Sequence, residues 1–357
     1  MPVVIPAAGS DITLEEGEVY AMKSLSRRDF LAGALAGAGS AILVGGAASV
    51  LSGDAYRYFK PLLAGVSLRP KYHDELTVVL IGTGSPNSIP ERSKPAVAVM
   101  AADRFFLVDC GGNVCGRLTQ AGIPPERISD VFITHHHSDH NSGFMDLLVT
   151  GAIGGAEPRR AVPLRVHGPT NTGSIIGKFM SAMEWDISVR RQHQQDVPGP
   201  YQVKIFERND GVVYDDGGVK VTAFTVDHGI VKPAVGYRFE YKNKSIVVSG
   251  DTLPCENMVR YATGADVLVH EAYSDSWIAR GVRRYPHMKK TAQNIMNYHT
   301  SVIEAARIAE RAKVKRLVYT HLMPAPSPVW YFERSWAAGA SDAYSGKIII
   351  GRDLMEV

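Results

Sequence analysis

Four candidate metal ligands fall within six residues in His135-His136-His137-Ser138-Asp139-His140, the densest concentration of reactive side chains in the chain. The run follows Val131-Phe132-Ile133-Thr134, a β-branched and aromatic stretch that reads as a buried strand, and precedes a helix-like segment from Asn141 to Leu148. In an extended segment alternate side chains share a face, so His135 and His137 can converge on one ion while His136 points away. Where the chain turns into the helix, Asp139 and His140 face a neighbouring point. Imidazole and carboxylate are donors that borderline metals such as zinc accept, so two adjacent ions are the expected occupants.

Histidine clusters also occur in surface loops, so the reading depends on partners further along. Thr225-Val226-Asp227-His228-Gly229 puts a histidine at a strand end, Val247-Val248-Ser249-Gly250-Asp251-Thr252 an aspartate, and Arg316-Leu317-Val318-Tyr319-Thr320-His321 a further histidine. Each follows an apolar strand and precedes a turn, so the strand ends can open into one cleft.

The positioning elements are legible around these residues. A strand from Leu76 to Ile81 leads to a hairpin, Ala96 to Met100 and Phe105 to Val108, and then to a helix from Cys115 to Ala121 that stops at Gly122. Pro163 to His167 reads as a strand and Thr172 to Met183 as a helix. Several strands from Val203 to Tyr241, broken by Asp/Gly turns, form the half-sheet that delivers His228, and the hairpin Tyr237 to Val248 delivers Asp251. A helix near Glu256 to Ala262, a strand from Val267 to His270, a helix from Ser301 to Ala312 and the strand carrying His321 follow, with Lys347 to Ile350 closing the sheet. Strand runs flanked by amphipathic helices in each half imply an α+β architecture of two sheets face to face with helices outside.

Together with Ile81-Gly82-Thr83-Gly84-Ser85-Pro86, Val108-Asp109-Cys110-Gly111 and Val269-His270-Glu271-Ala272, these motifs make the chain from about Leu76 onward resemble the metallo-β-lactamase superfamily, specifically its arylsulfatase-like and ribonuclease Z-like branch. The resemblance implies a four-layer αβ/βα sandwich. It also implies a ligand set: His135, His137 and His228 on a first zinc ion, Asp139, His140 and His321 on a second, and Asp251 bridging, with manganese or iron able to substitute. Such a pair would acidify a bridging water to supply hydroxide, with Asp139 orienting or deprotonating it. His299, in Tyr298-His299-Thr300-Ser301, resembles the catalytic histidine of a His-Ser/Thr motif. It would protonate a leaving oxygen or stabilise transition-state charge, with Thr300 or Ser301 capping the next helix. Glu271 would orient His299, or form a structural salt bridge.

The 357 residues permit one large domain or two small ones, and 45% hydrophobic with 21% charged residues suffices for a sizeable core. A formal charge of +3 decides nothing about partners, and no block of like charge suggests a nucleic-acid tail. Ser26-Arg27-Arg28-Asp29-Phe30-Leu31 precedes an uncharged segment, Leu31 to Leu51, in which twelve of twenty-one residues are Ala or Gly. Mild apolarity after paired arginines resembles a twin-arginine export signal. The expectation is a signal region at 1–55 and a hydrolase domain at 56–357. The protein would then be exported folded by the twin-arginine machinery and be periplasmic or secreted, or membrane-anchored if the signal is uncleaved. Three cysteines, Cys110, Cys115 and Cys255, give no disulfide framework.

Trp277 to Lys290, between two site strands, carries five basic and two aromatic residues. It would overhang the cleft and receive an anionic aryl group, or be a solvated basic loop. The expected activity is therefore dinuclear zinc hydrolysis of a small, anionic, aromatic ester, an aryl sulfate first, with a phosphodiester, lactone or other ester as the alternative. A ribonuclease Z-like tRNA endonuclease is set aside on the export-type N-terminus and the absence of a long Gly/Lys-rich arm. No nucleic-acid partner is expected on this reading; a homodimer is compatible with it.

Overall fold

Along Thr77–Gly82, Ala96–Ala101 and Val267–Tyr273 side chains are buried on both faces, which is the pattern of sheets covered on each side. The computed structural model describes residues 75–155, 157–193 and 199–357. The twin-arginine segment and the boundary at residue 56 lie outside the described residues. Among the described residues no helix is long and apolar enough to cross a membrane.

In chain order the strands are β1 (Thr77–Gly82), β2 (Ala96–Ala101), β3 (Arg104–Val108), β4 (Ile128–Phe132), β5 (Leu164–Gly168), β6 (Val203–Glu207), β7 (Gly211–Asp216), β8 (Val219–Thr225), β9 (Val235–Tyr241), β10 (Lys244–Val248), β11 (Val267–Tyr273), β12 (Arg316–Met323), β13 (Lys347–Ile350) and β14 (Met355–Glu356). One seven-stranded sheet has the order β14-β1-β2-β3-β4-β5-β6, the other β13-β12-β11-β10-β9-β8-β7. Each is mixed: β1 to β3 are antiparallel and β3 to β6 parallel, while β7 to β10 are antiparallel and β10 to β13 parallel.

The helices are α1 (Val114–Gln120), α2 (Ser138–Asn141), α3 (Phe144–Ile153), α4 (Thr172–Ala182), α5 (Glu184–His193), α6 (Glu256–Ala262), α7 (Asp275–Arg284), α8 (Lys289–Tyr298), α9 (Val302–Arg311), α10 (Trp330–Trp336) and α11 (Ala340–Ala343). Period-two patterning sorts the core into layers. Val78, Leu80, Phe106 and Phe132 of the first sheet meet Val221, Tyr237, Phe239 and Val269 of the second. The opposite faces, Val79, Ile81 and Leu107, pack under α1, α3 and α4, and Val247, Leu268 and Leu317 pack under α6 and α9. This is the expected four-layer αβ/βα sandwich. Burying each such side chain contributes about 1.5–3 kcal/mol.

The structure departs from the sequence expectations at particular points. β6 pairs in parallel with β5 at the edge of the first sheet and β7 opens the second, so the strands after Val203 divide between sheets. The cause is the Asn209-Asp210-Gly211 segment, where Gly211 at φ 86° turns the chain out of the first sheet. The segment after His140 is two helices rather than one, broken at Ser142-Gly143. Trp277 to Lys290 falls in a pair of helices, α7 and α8, and the turn between them, rather than in a loop.

A buried ion cluster ties β4 to β5. The fully buried Asp130 accepts from Arg165 Nε at 2.8 Å and Nη2 at 2.7 Å, and pairs with His167 Nε2 at 2.8 Å. Burial alone would raise the carboxyl pKa, but hydrogen bonds from His167, Arg165 and Ser129 outweigh it and hold the group below its usual value. A carboxylate depressed in the folded state adds stability above its unfolded pKa, and that contribution is lost as pH falls through the folded pKa. Asp130→Ala is therefore expected to cost about 3 kcal/mol at neutral pH. The difference from the parent should shrink below about pH 4 in denaturant titrations.

Candidate active site

The parallel strands of both sheets end on one side, and the candidate ligands sit in the turns there. After β4 the chain stays extended through Thr134 to His137 before α2 begins at Ser138. Thr134 donates its backbone N–H to Asp109 Oδ1 at 2.8 Å, and its carbonyl accepts from Val235 N at 2.9 Å, so this segment bridges the sheets. The helical turn carrying Asp139 and His140 is seated against the end of β3: Cys110 N donates to His140 O at 2.7 Å and Gly143 N to Cys110 O at 2.8 Å. A Cβ on Gly143 would lie 2.3 Å from Gly111 O, so glycine is what permits this approach.

His321 is presented differently. In the β11–β12 register Glu271 faces Thr320 and Ala272 faces Leu322, leaving His321 as an extra residue at φ 45°. This bulge turns its imidazole into the cleft at the cost of a left-handed backbone. Asp251 follows Gly250, whose φ of 61° makes the turn after β10.

All seven predicted ligands meet. His137 Nδ1 lies 3.1 Å from His135 Nε2 and 3.4 Å from His228 Nε2. Asp251 Oδ2 is common to both halves: it lies 3.6 and 3.9 Å from Nε2 of His135 and His228, and 3.4 and 3.3 Å from Nε2 of His140 and His321. Asp139 Oδ2 lies 3.3 Å from His321 Nε2 and 3.6 Å from His140 Nε2. His136 turns away, its Nε2 3.2 Å from Thr170 O.

The donor set fits metal ions. His140 Nε2 and Asp251 Oδ1 are buried with no hydrogen-bond partner, which is costly unless another group takes them up. Burial lowers the pKa of His135, His137 and His228, keeping them as the neutral imidazoles that coordinate. Burial opposes charge on Asp251, yet His321, His140 and His135 hold its pKa well below the carboxylate range.

Two groups fix which nitrogen faces inward. His228 Nδ1 donates to Tyr298 O at 2.8 Å, and His140 Nδ1 to Asp109 Oδ2 at 2.7 Å, each leaving Nε2 as the nitrogen turned toward the cluster. Asp109 was assigned no role from sequence; its signal was an acidic residue ending an apolar strand in Val108-Asp109-Cys110-Gly111. Asp109→Ala is expected to weaken metal affinity about 10- to 100-fold, read by competition with a chromogenic chelator.

His299 ends α8 with Nδ1 3.1 Å from Glu271 Oε1 and 3.9 Å from Asp251 Oδ2. Glu271 Oε1 also accepts from the backbone of Thr252 at 3.2 Å and Thr300 at 3.0 Å, tying three turns together. Ser301 caps α9 by accepting from Glu304 N at 3.2 Å. Beside His299, between α7, α8 and the Ser85–Asn87 turn, lies a largely apolar cavity of about 260 Å³.

A two-sheet sandwich whose strand ends gather five histidines and two aspartates around one shared carboxylate oxygen defines a metal-dependent hydrolase of the metallo-β-lactamase type. The chain belongs to this superfamily: the Beta-lactamase superfamily domain model matches residues 104–322. It is 38% identical over 282 residues to a protein named Ribonuclease Z from Mycolicibacterium paratuberculosis, covering 79% of this chain and 98% of the relative. It is 36% identical over 284 residues to Ribonuclease Z from Mycobacterium bovis, covering 79% and 98%. Among solved structures, the metallo-beta-lactamase fold protein YhfI from Bacillus subtilis has a TM-score of 0.60 at 20% identity, covering 80% of this chain and 99% of that one. Human tRNase Z, short form, has a TM-score of 0.56 at 22% identity, covering 79% and 98%.

These relatives overturn two expectations. The arylsulfatase-like reading on a small ester, and the exclusion of a nucleic-acid partner, both give way to relatives named Ribonuclease Z along nearly their whole length. The physical reason is that the same imidazoles and carboxylates serve a sulfate or a phosphate ester. The rejection of RNA rested instead on an N-terminal segment and a missing arm, not on the ligands of the cleft.

Proposed function

We propose that the protein is a metal-dependent phosphodiesterase that cleaves RNA, acting as a ribonuclease of the kind its relatives are named for. The observation that carries this is the meeting of His135, His137, His228, Asp139, His140 and His321 around Asp251 with His299 adjoining, in a chain 38% identical to a Ribonuclease Z. Those seven residues would hold two divalent cations, zinc first, which when bound supply the Lewis acidity that phosphodiester hydrolysis needs.

The chain's own groups do the rest. Asp139 lies on the cluster side of α2, where its carboxylate can accept the proton of an attacking water. His299 is the acid. Glu271 Oε1 accepts from its Nδ1, which leaves Nε2 to pass a proton to the departing oxygen. Glu271 is a positioning residue, since it reaches the reaction only through His299.

The test is a substrate panel on zinc-loaded protein: a precursor tRNA, a bis-aryl phosphodiester and an aryl sulfate. Cleavage of the RNA and the phosphodiester is expected. Turnover of the aryl sulfate alone would overturn the reading.

A further inference from the structure

From Ser276 to Ile303 the chain contains no Asp or Glu and five Lys or Arg. All five are exposed: Arg280, Arg283 and Arg284 on α7, and Lys289 and Lys290 at the start of α8. The inner faces of these helices pack through Ile278 and Ala292 on Tyr273 and Met323, which fixes the pair against the ends of the second sheet. The cavity they enclose is walled by Trp277, Val282, Met288 and Ile295 and reaches Tyr298 and His299.

Aromatic surface continues outward from that wall. The Trp277 ring lies 6.3 Å from Phe332, Phe332 lies 5.7 Å from Tyr331, and Tyr331 lies 6.0 Å from Trp330. Trp330 is 68% exposed and Tyr331 63%, so the outer rings leave most of their apolar area in water. Ser335 ties the two parts together, its Oγ accepting from Trp277 Nε1 at 3.3 Å and from Arg280 Nη2 at 3.2 Å. The Arg280 guanidinium also sits 5.9 Å from the Trp277 ring centroid.

We propose that this surface holds a single-stranded RNA segment flanking the scissile phosphate. One unstacked base occupies the cavity beside His299, further bases stack on Phe332, Tyr331 and Trp330, and the cations of α7 and α8 pair with backbone phosphates. The inference rests on the RNA-cleaving reading and names the part of the substrate that this site grips. Charge complementarity selects the occupant, because α7 and α8 carry five exposed cations against one acid, Asp275, and Arg280 among them lies against the Trp277 ring at the start of a run of rings that every base can stack on. A duplex hides its base faces and would meet only the charges. A lipid surface would use the rings and cations but leave the cavity at His299 without a role.

Binding is read by fluorescence anisotropy of a labelled, cleavage-resistant phosphorothioate oligoribonucleotide on the full zinc-loaded chain. A duplex of the same sequence and anionic phosphatidylglycerol vesicles run in parallel. Trp330→Ala with Tyr331→Ala should weaken single-strand binding at least about 10-fold. Arg283→Glu with Arg284→Glu should weaken it and flatten its salt dependence by about two phosphate contacts. Ala292→Phe, which fills the cavity, should weaken it independently. Lys244→Glu with Lys347→Glu, at the exposed starts of β10 and β13, serves as the charge-matched control and should leave it unchanged.

Unchanged affinity in the first two variants, equal affinity for duplex, vesicle binding without RNA binding, or a dimer dispersed by the aromatic substitutions would each overturn the proposal. The catalytic reading is scored separately on unsubstituted protein with a bis-aryl phosphodiester too small to reach Trp330. Turnover there without strand preference rejects only this inference, whereas no turnover there rejects the catalytic reading.

Discussion

Asp251→Ala is expected to release both metal ions and abolish turnover in one step. Its Oδ2 lies within 3.3–3.9 Å of one nitrogen on each of His135, His140, His228 and His321, so its loss opens both halves of the cluster together. Lewis acidity is worth several kcal/mol in the transition state, so activity should fall by at least about 10³-fold. Metal analysis of the purified variant checks it. Two ions retained with normal activity would show that the carboxylate is a bystander.

His299→Ala is expected to separate binding from turnover. Its nearest contact is Glu271 rather than the core of the cluster, so both ions should remain. Loss of a positioned acid costs about 10²–10⁴-fold in rate. The signature is the leaving group. A nitrophenolate departs without a proton, so the variant should lose far less on a bis-nitrophenyl phosphodiester than on RNA, whose leaving alkoxide needs one. An equal loss on both would assign His299 to structure alone.

The metal-binding pattern was legible because the ligands fall on or just after apolar strand runs, where a two-residue period and a turn mark the position locally. His135 and His137 needed only that spacing. Asp109 was not legible as an orienting group, because its contact with His140 spans 31 residues and nothing in its neighbourhood marks it. The bulge that aims His321 was hidden for a related reason: Arg316 to Met323 reads as an unbroken strand, and only pairing with β11 reveals the extra residue. The α7–α8 pair was obscured by Gly281 and Pro286 within a stretch rich in like charge, so tertiary packing through Ile278 and Ala292 decided its helicity. Substrate class was not legible, since the cleft donors are common to several esters.

The short strand β14 has a protective role. Val79 and Leu80 of β1 pair with Glu356 and Met355, and Val357 N donates to Val78 O at 3.0 Å. Without that cover, β1 would present a bare ladder of amide and carbonyl groups along a strand whose side chains are almost wholly apolar. Such a margin invites self-templated aggregation. Two residues of backbone therefore act as a selvedge for the first sheet, and proteolytic trimming there would compromise solubility before it touched catalysis.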